Sequence, residues 1–161
     1  MFLRYLYSIF LAVLIVTFVG VGISAFYKAP KSPEYPIEER PVVMKSTGEV
    51  SESAEMIQKR IDFEKESREF QKVNETYNKN VSTIAIAASL LILVLSISLL
   101  SRIMYLSDGL MLGGVFTLMY AVVRGFTAGD EMFRFIVVSI SLAVAVFLGY
   151  WRFVRKEVKK K

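Results

Sequence analysis

Two aspartates, Asp108 and Asp130, bracket an apolar segment of the chain and are the first candidates for chemistry. Asp130 lies in the sequence AGDE, and an aspartyl reaction needs two facing carboxylates that share a proton. A helix through residues 109–128 separates the two carboxylates by about 33 Å, so they lie on opposite sides of a bilayer. This spacing argues against a carboxylate pair.

The residue types that the chain lacks exclude further chemistry. It has no cysteine and no histidine, which excludes disulfides, zinc sites built on Cys or His, His-ligated haem and His-based acid–base catalysis. No lysine lies within an apolar segment to activate a serine, and no phosphate-binding loop is present. We therefore predict no catalytic, cofactor-binding or metal-binding residue, and a protein that is not an enzyme.

A row of serines, Ser82, Ser89 and Ser96, recurs at heptad spacing and has two interpretations. The hydroxyl groups line a polar path in a small oligomeric channel or transporter, or the small side chains let helices approach closely. Channels and coupled transporters usually place ionisable groups near the middle of the membrane, and these apolar segments have none there. We favour helix packing and keep the channel or transporter as the alternative.

The elements that carry these residues are four long apolar segments in a chain that is 54% hydrophobic. Each has close to the ~20 residues that cross a bilayer as a helix. We predict an all-α integral membrane protein, a bundle of four transmembrane helices with short turns at residues 102–108 and 129–132. The four predicted spans, TM1 to TM4, are residues 5–27, 81–101, 109–128 and 133–151.

Small residues follow one face of the third and fourth spans. TM3 opens with the sequence GLMLG, a GxxxG pattern of the kind that brings helix backbones together in lipid. We predict helix-packing roles for Gly109, Gly113, Gly114, Ala121, Ser141, Ala145 and Gly149.

Arg124, near one end of TM3, is the cation that we expect to be half-buried. Its long side chain is predicted to reach the lipid headgroups or to pair with Asp130 or Glu131 in the following turn.

A basic cluster at residues 152–161 sets the predicted orientation. All but one of its charged residues are Lys or Arg, and the positive-inside rule places such a cluster in the cytoplasm. An even number of spans then puts residues 1–4 in the cytoplasm and residues 28–80 outside it. We predict a plasma membrane location, with TM1 retained as an anchor instead of being cleaved as a signal peptide.

The segment between TM1 and TM2 divides by composition. Residues 28–48 contain all four prolines, which predicts an extended strap. Residues 49–80 lack proline and glycine and are rich in helix formers, so we predict a charged helix continuous with TM2, despite the asparagine-rich stretch NETYNKN. Phe63, Phe70 and Tyr77 recur at heptad spacing and form a narrow apolar stripe on that amphipathic helix.

These features predict a non-enzymatic, multi-pass membrane protein that serves as an accessory, assembly or scaffold subunit. Its predicted partners are the lipid bilayer and a membrane-protein partner or a second copy of the chain, contacted through Phe63, Phe70 and Tyr77. No nucleic-acid partner is predicted, because the basic residues are concentrated in a short terminal cluster and not on a folded surface.

Overall fold

The computed structural model describes residues 2–33, 54–99 and 104–151, and within these ranges it has four α-helices and no strand. All four are long and apolar enough to span a membrane, which confirms the predicted number and type of apolar elements. The predictions for residue 1 and for residues 34–53, 100–103 and 152–161, which include most of the strap and the basic cluster, lie outside the described residues. The helices are α1 (Phe2–Phe26), α2 (Ala54–Leu99), α3 (Met104–Phe126) and α4 (Glu131–Gly149).

The chain divides into two compact units. The apolar unit comprises residues 1–29 and 75–161, and the charged unit comprises residues 30–74. Helix α2, which has 46 residues, contributes its last part to the apolar unit and its first part to the charged unit. The asparagine-rich stretch is helical throughout, because asparagine lowers helix propensity without forbidding the conformation as proline does.

Helix α3 begins within residues 102–108, the segment that was predicted to be a turn. It starts at Met104, five positions ahead of the glycine at which TM3 was expected to begin. Ser107 explains the difference, because its hydroxyl group donates to the Ser96 carbonyl oxygen over 2.7 Å and holds this first turn against α2.

Within the apolar unit, α3 contacts each of the other three helices through glycines. Ideal Cβ atoms built on Gly109 and Gly113 would lie 2.7 and 2.8 Å from side-chain atoms of α1. A Cβ on Gly114 would lie 2.6 Å from Leu93 of α2, and one on Gly125 would meet both Ser82 of α2 and Val137 of α4. Only glycine allows these approaches without displacement of a neighbour.

A tight turn at residues 127–130 joins α3 to α4. Gly129 has a φ of +72°, in the left-handed region where a side chain is strained. The Asp130 carboxylate accepts hydrogen bonds from the backbone amides of Met132 and Phe133, which caps the first turn of α4. We call this end of the apolar unit the turn end.

The surfaces of α1 and α4 are apolar and exposed. In α1, Phe10 and Phe18 expose 61% and 79% of their areas, and in α4 Phe135 exposes 73%. Aromatic groups exposed over the length of a helix suit a lipid solvent, in which burial of apolar area is not required.

Candidate functional site: the polar cluster at the turn end

Arg124 lies near the C-terminal end of α3 and is half-buried between helices. Its Nη1 atom donates to Oδ1 of Asn78 in α2 over 3.0 Å, and its Nε atom donates to the Tyr120 hydroxyl oxygen over 3.1 Å. The guanidinium carbon also lies 5.5 Å from the centroid of the Tyr120 ring. Asp130 and Glu131, which were predicted as partners of Arg124 in place of the lipid headgroups, are not among these partners.

Asn78 is the acceptor that makes this arrangement stable. It exposes only 3% of its area, so without a partner its amide group would carry the cost of an unsatisfied buried polar group. Because Asn78, Val81 and Ser82 share one face of α2, the helix that buries its apolar residues against α3 brings the Asn78 amide there too.

Two tyrosines join the residue that follows α1 to α2 beside this contact. The rings of Tyr27 and Tyr77 stack with centroids 5.1 Å apart and planes 1° from parallel. The Tyr77 hydroxyl group donates to the Tyr27 carbonyl oxygen over 3.4 Å, and Asn80 donates to the Tyr27 hydroxyl oxygen over 2.8 Å. The hydrogen bonds position the stacked rings, which add apolar burial.

An ion pair joins α2 to the turn. Lys79 Nζ lies 3.1 Å from Asp130 Oδ2 and 5.1 Å from the centroid of the Phe133 ring. The hydrogen bond from the Phe133 amide and then the one from Lys79 hold the pKa of Asp130 below its ordinary value of 3.8. Asp130 therefore makes two structural contacts, since the carboxylate that caps α4 also forms an ion pair with Lys79 of α2.

Arg134, in the first turn of α4, is less well satisfied than Arg124. Its Nε atom is the buried side-chain polar atom that lacks a hydrogen-bond partner among the described residues. A buried donor without an acceptor opposes folding, so Arg134 contributes less to the cluster than Arg124 does.

The serine row of α2 faces its neighbours in the apolar unit. Ser82 donates to the Ala121 carbonyl oxygen of α3 over 2.8 Å, and Ser89 donates within α2 to Ile86. Ser96 donates to the Ser107 carbonyl oxygen over 2.8 Å, in exchange for the bond from Ser107 already described. All three serines of the row are buried, and their hydroxyl groups bond to helix carbonyls.

The residues predicted to pack helices occupy two kinds of environment. Gly109, Gly113, Gly114 and Ala121 are buried where α3 meets α1 or α2. In α4 the environment is more open: Ser141 bonds to Val137 of its own helix, Ala145 is exposed, and a Cβ on Gly149 would meet nothing within 4 Å.

The three residues predicted to contact a partner also lie in two different environments. Tyr77 is 6% exposed and stacked on Tyr27, so the chain itself covers this ring. Phe63 and Phe70, in the charged unit, are half-buried.

Sequence reasoning missed a second apolar pair in the charged unit. Ile57 and Ile61 are 45% and 42% exposed. Their spacing of four residues puts both on one face of α2, and that face differs from the face of Phe63. The four-residue spacing of the two isoleucines is visible in the sequence, but the heptad recurrence of Phe63, Phe70 and Tyr77 is the more regular apolar pattern.

The cluster at the turn end orders four elements against one another. Among residues 2–33, 54–99 and 104–151, no three acidic side chains are grouped to hold a metal ion. Comparisons with models of known protein families, with curated proteins and with solved structures gave no match for this chain. The chemistry of the cluster is that of a structural clamp built from hydrogen bonds, one ion pair and stacked rings.

Proposed function

We propose that this protein is a non-enzymatic, multi-pass membrane protein that serves as an accessory, assembly or scaffold subunit. It lies in the plasma membrane with both termini in the cytoplasm, and the charged part of α2 contacts a membrane-protein partner or a second copy outside. The observation that carries the proposal is that large apolar side chains stand on this otherwise charged part of the helix.

The apolar side chains of the charged unit lie among exposed charges. Arg68 and Glu64 approach within 3.9 Å at the surface, with side chains 78% and 66% exposed. An ion pair this exposed contributes little stability, whereas exposed aliphatic groups such as Ile57 and Ile61 gain free energy when a partner covers them. A helix with apolar anchors and a charged surround is a common form of partner recognition.

The buried serines support packing in preference to a polar path. Ser82 and Ser96 bond to carbonyl groups across the contact between α2 and α3. A hydroxyl group used in this way is not presented to a permeating ion or solute, so this observation favours a subunit over the alternative channel or transporter.

The experiment compares two double variants of the full-length, tagged chain. One is Phe63→Ala/Phe70→Ala and the other is Ile57→Ser/Ile61→Ser. Each is expressed in native membranes, extracted in mild detergent and assayed for a co-purifying partner and, with two different tags, for self-association. The pair of side chains that the partner covers should be essential for association. Its loss should lower the recovery of the associated protein at least about tenfold in one of the two variants.

Arg68→Gln is the matched control, because it changes the same helix at an exposed charge. It should leave recovery unchanged. Tyr77→Ala is not used, since the buried Tyr77 ring supports the fold itself. If both double variants retain every association of the unmodified chain, the proposed contact through α2 is wrong.

A further inference from the structure

An apolar groove lies at the end of the apolar unit opposite the turn end. It has a volume of about 670 Å³, which is within the usual range for sites of small ligands. The first three turns of α1 form most of it, and α3 contributes one aromatic ring. The lining residues are Leu3, Arg4, Leu6, Tyr7, Phe10 and Tyr105.

Arg4 supplies the groove with a positive charge. Its guanidinium carbon lies 4.5 Å from the centroid of the Tyr105 ring, which holds the cation over the aromatic face. No carboxylate among the described residues forms an ion pair with Arg4. Among the described residues, no carboxylate therefore neutralises the charge of the Arg4 guanidinium group.

The wall beneath Arg4 is fixed in place by a contact between helices. The Ser8 hydroxyl group lies 3.1 Å from the Arg4 carbonyl oxygen and 3.4 Å from the Tyr105 carbonyl oxygen, and its single hydrogen is shared between these two acceptors. This contact ties α1 to α3 at the base of the groove.

The chemistry of the groove matches an anionic phospholipid. The guanidinium fork binds phosphate oxygens through two parallel hydrogen bonds, and the exposed Leu6 and Phe10 side chains offer apolar area to an acyl chain. Leu3 and Phe10 are 78% and 61% exposed, and such bulky groups keep the backbone of a second helix at a distance. The wall thus suits a flexible acyl chain better than a closely packed helix.

We propose that this groove binds one anionic phospholipid, with Arg4 on the phosphate group and an acyl chain along Leu6 and Phe10. Tyr105 positions the guanidinium group for the phosphate. The site rests on the chain spanning a bilayer and is independent of the partner contact proposed for α2.

Native mass spectrometry of the full-length protein tests the site. The protein is released from detergent after equilibration with equal amounts of phosphatidylglycerol and phosphatidylcholine that carry the same acyl chains. The unmodified chain should retain one phosphatidylglycerol at about fivefold higher occupancy than phosphatidylcholine, the factor expected for one basic residue near an anionic lipid.

Two variants and one control separate the parts of the site. Arg4→Gln should lower phosphatidylglycerol occupancy about fivefold and leave phosphatidylcholine unchanged, whereas Phe10→Ala should lower both lipids. Lys28→Gln is the matched control, because it removes an exposed cation beyond the other end of α1. It should leave both occupancies unchanged.

Three results would overturn the proposal. The first is equal occupancy of the two lipids on the unmodified chain, and the second is an Arg4→Gln variant that still prefers phosphatidylglycerol. The third is a dimer without a lipid adduct that Arg4→Gln converts to a monomer, which would assign the groove to a second copy of the chain.

Discussion

The guanidinium group of Arg124 and the amide oxygen of Asn78 form a hydrogen bond of 3.0 Å between α3 and α2. Both residues belong to the apolar unit, and Asn78 is almost completely buried there. Because the cation already has an amide and a phenol as partners, it needs no carboxylate, and Asp130 is left to pair with Lys79.

The first prediction concerns the acceptor of this bond. Asn78→Ala leaves the half-buried guanidinium group of Arg124 without an acceptor in α2 and should destabilise the protein by roughly 1–3 kcal/mol. Asn78→Asp keeps the acceptor geometry, supplies a countercharge and should retain most of the stability. Thermal unfolding in detergent, followed by size-exclusion chromatography of the soluble fraction, measures both.

Asn80→Ala is the control for this measurement. Asn80 is exposed, and its bond to the Tyr27 hydroxyl group replaces a bond that water or a headgroup can make. Its loss should cost less than the loss of Asn78. If Asn78→Ala and Asn80→Ala lost the same amount of stability, the hydrogen bond to Arg124 would contribute no more than the exposed hydrogen bond of Asn80.

The second prediction tests the close approach of α3 to α1. A Cβ on Gly113 would lie 2.8 Å from the Ile15 Cδ1 atom and 3.0 Å from its Cβ atom. The Cβ atom of Ile15 is fixed to its backbone, so α1 has to move away. Gly113→Ala should therefore destabilise the protein by about 1–3 kcal/mol in thermal unfolding.

Gly20→Ala provides the matched control on α1, because a Cβ at Gly20 meets nothing within 4 Å. It should be neutral or slightly stabilising, since alanine has the higher helix propensity. A Gly113→Ala variant that unfolds at the same temperature as Gly20→Ala would refute the role of close packing.

The number of helices followed from the sequence, but the partners of their polar residues did not. Hydropathy and segment length are local properties, and they were sufficient to predict four helices that can span a membrane. The contact between Arg124 and Asn78 depends on the relative rotation of two helices, which no local pattern specifies. The sequence therefore suggested the lipid headgroups, or Asp130 and Glu131 as its nearest acids, as partners for Arg124.

Tyr77 shows the same limit for the apolar stripe. Heptad spacing correctly relates its position to that of Phe70 on one helix, but spacing alone does not say which ring another part of the chain covers. The partner of Tyr77 is Tyr27, distant in sequence and just beyond the end of α1. Long-range stacking of this kind requires the arrangement of α1 against α2.

The third prediction concerns the reciprocal bonds of Ser96 and Ser107. Each hydroxyl group donates to the carbonyl oxygen of the other residue, over 2.8 and 2.7 Å. Each bond to a carbonyl oxygen is lost with one substitution, but the two hydroxyl oxygens also lie 3.3 Å apart, and this contact couples the two side chains. In a double-mutant cycle, Ser96→Ala and Ser107→Ala should therefore be coupled by about 0.6 kcal/mol, the average for hydrogen bonds between membrane helices. Thermal unfolding of the two single variants and the double variant gives the coupling energy.

Ser24→Ala is the control for the serine cycle, because the Ser24 hydroxyl group is exposed and bonds to the Val21 carbonyl oxygen of its own helix. Combined with Ser96→Ala, it should show no coupling. A coupling as large as that of the Ser96 and Ser107 pair would mean that the cycle does not report the contact between α2 and α3.

The fourth prediction concerns pH and the cap of α4. The folded protein binds a proton at Asp130 more weakly than the unfolded chain does, since the Phe133 amide and Lys79 favour the carboxylate and lower its pKa below 3.8. The stability from Asp130 is thus fully present above that ordinary value and is lost as pH falls through the lower folded value. Asp130→Asn retains a good N-cap but cannot form the ion pair, so its unfolding temperature should fall less than that of the unmodified protein between about pH 5 and about pH 2.

Two further variants make the pH experiment specific to this carboxylate. Asp130→Ala removes the cap together with the ion pair, so at neutral pH it should unfold at a lower temperature than Asp130→Asn. Glu131→Gln removes the neighbouring carboxylate and leaves the cap in place, and it should keep the acid sensitivity of the unmodified protein. If Glu131→Gln and Asp130→Asn reduced that sensitivity equally, the effect would come from the net charge of the turn and not from the bonds that Asp130 makes to Phe133 and Lys79. Because these bonds join the turn to α4 and to α2, selective acid sensitivity at Asp130 would mean that one carboxylate couples the start of α4 to its contact with α2.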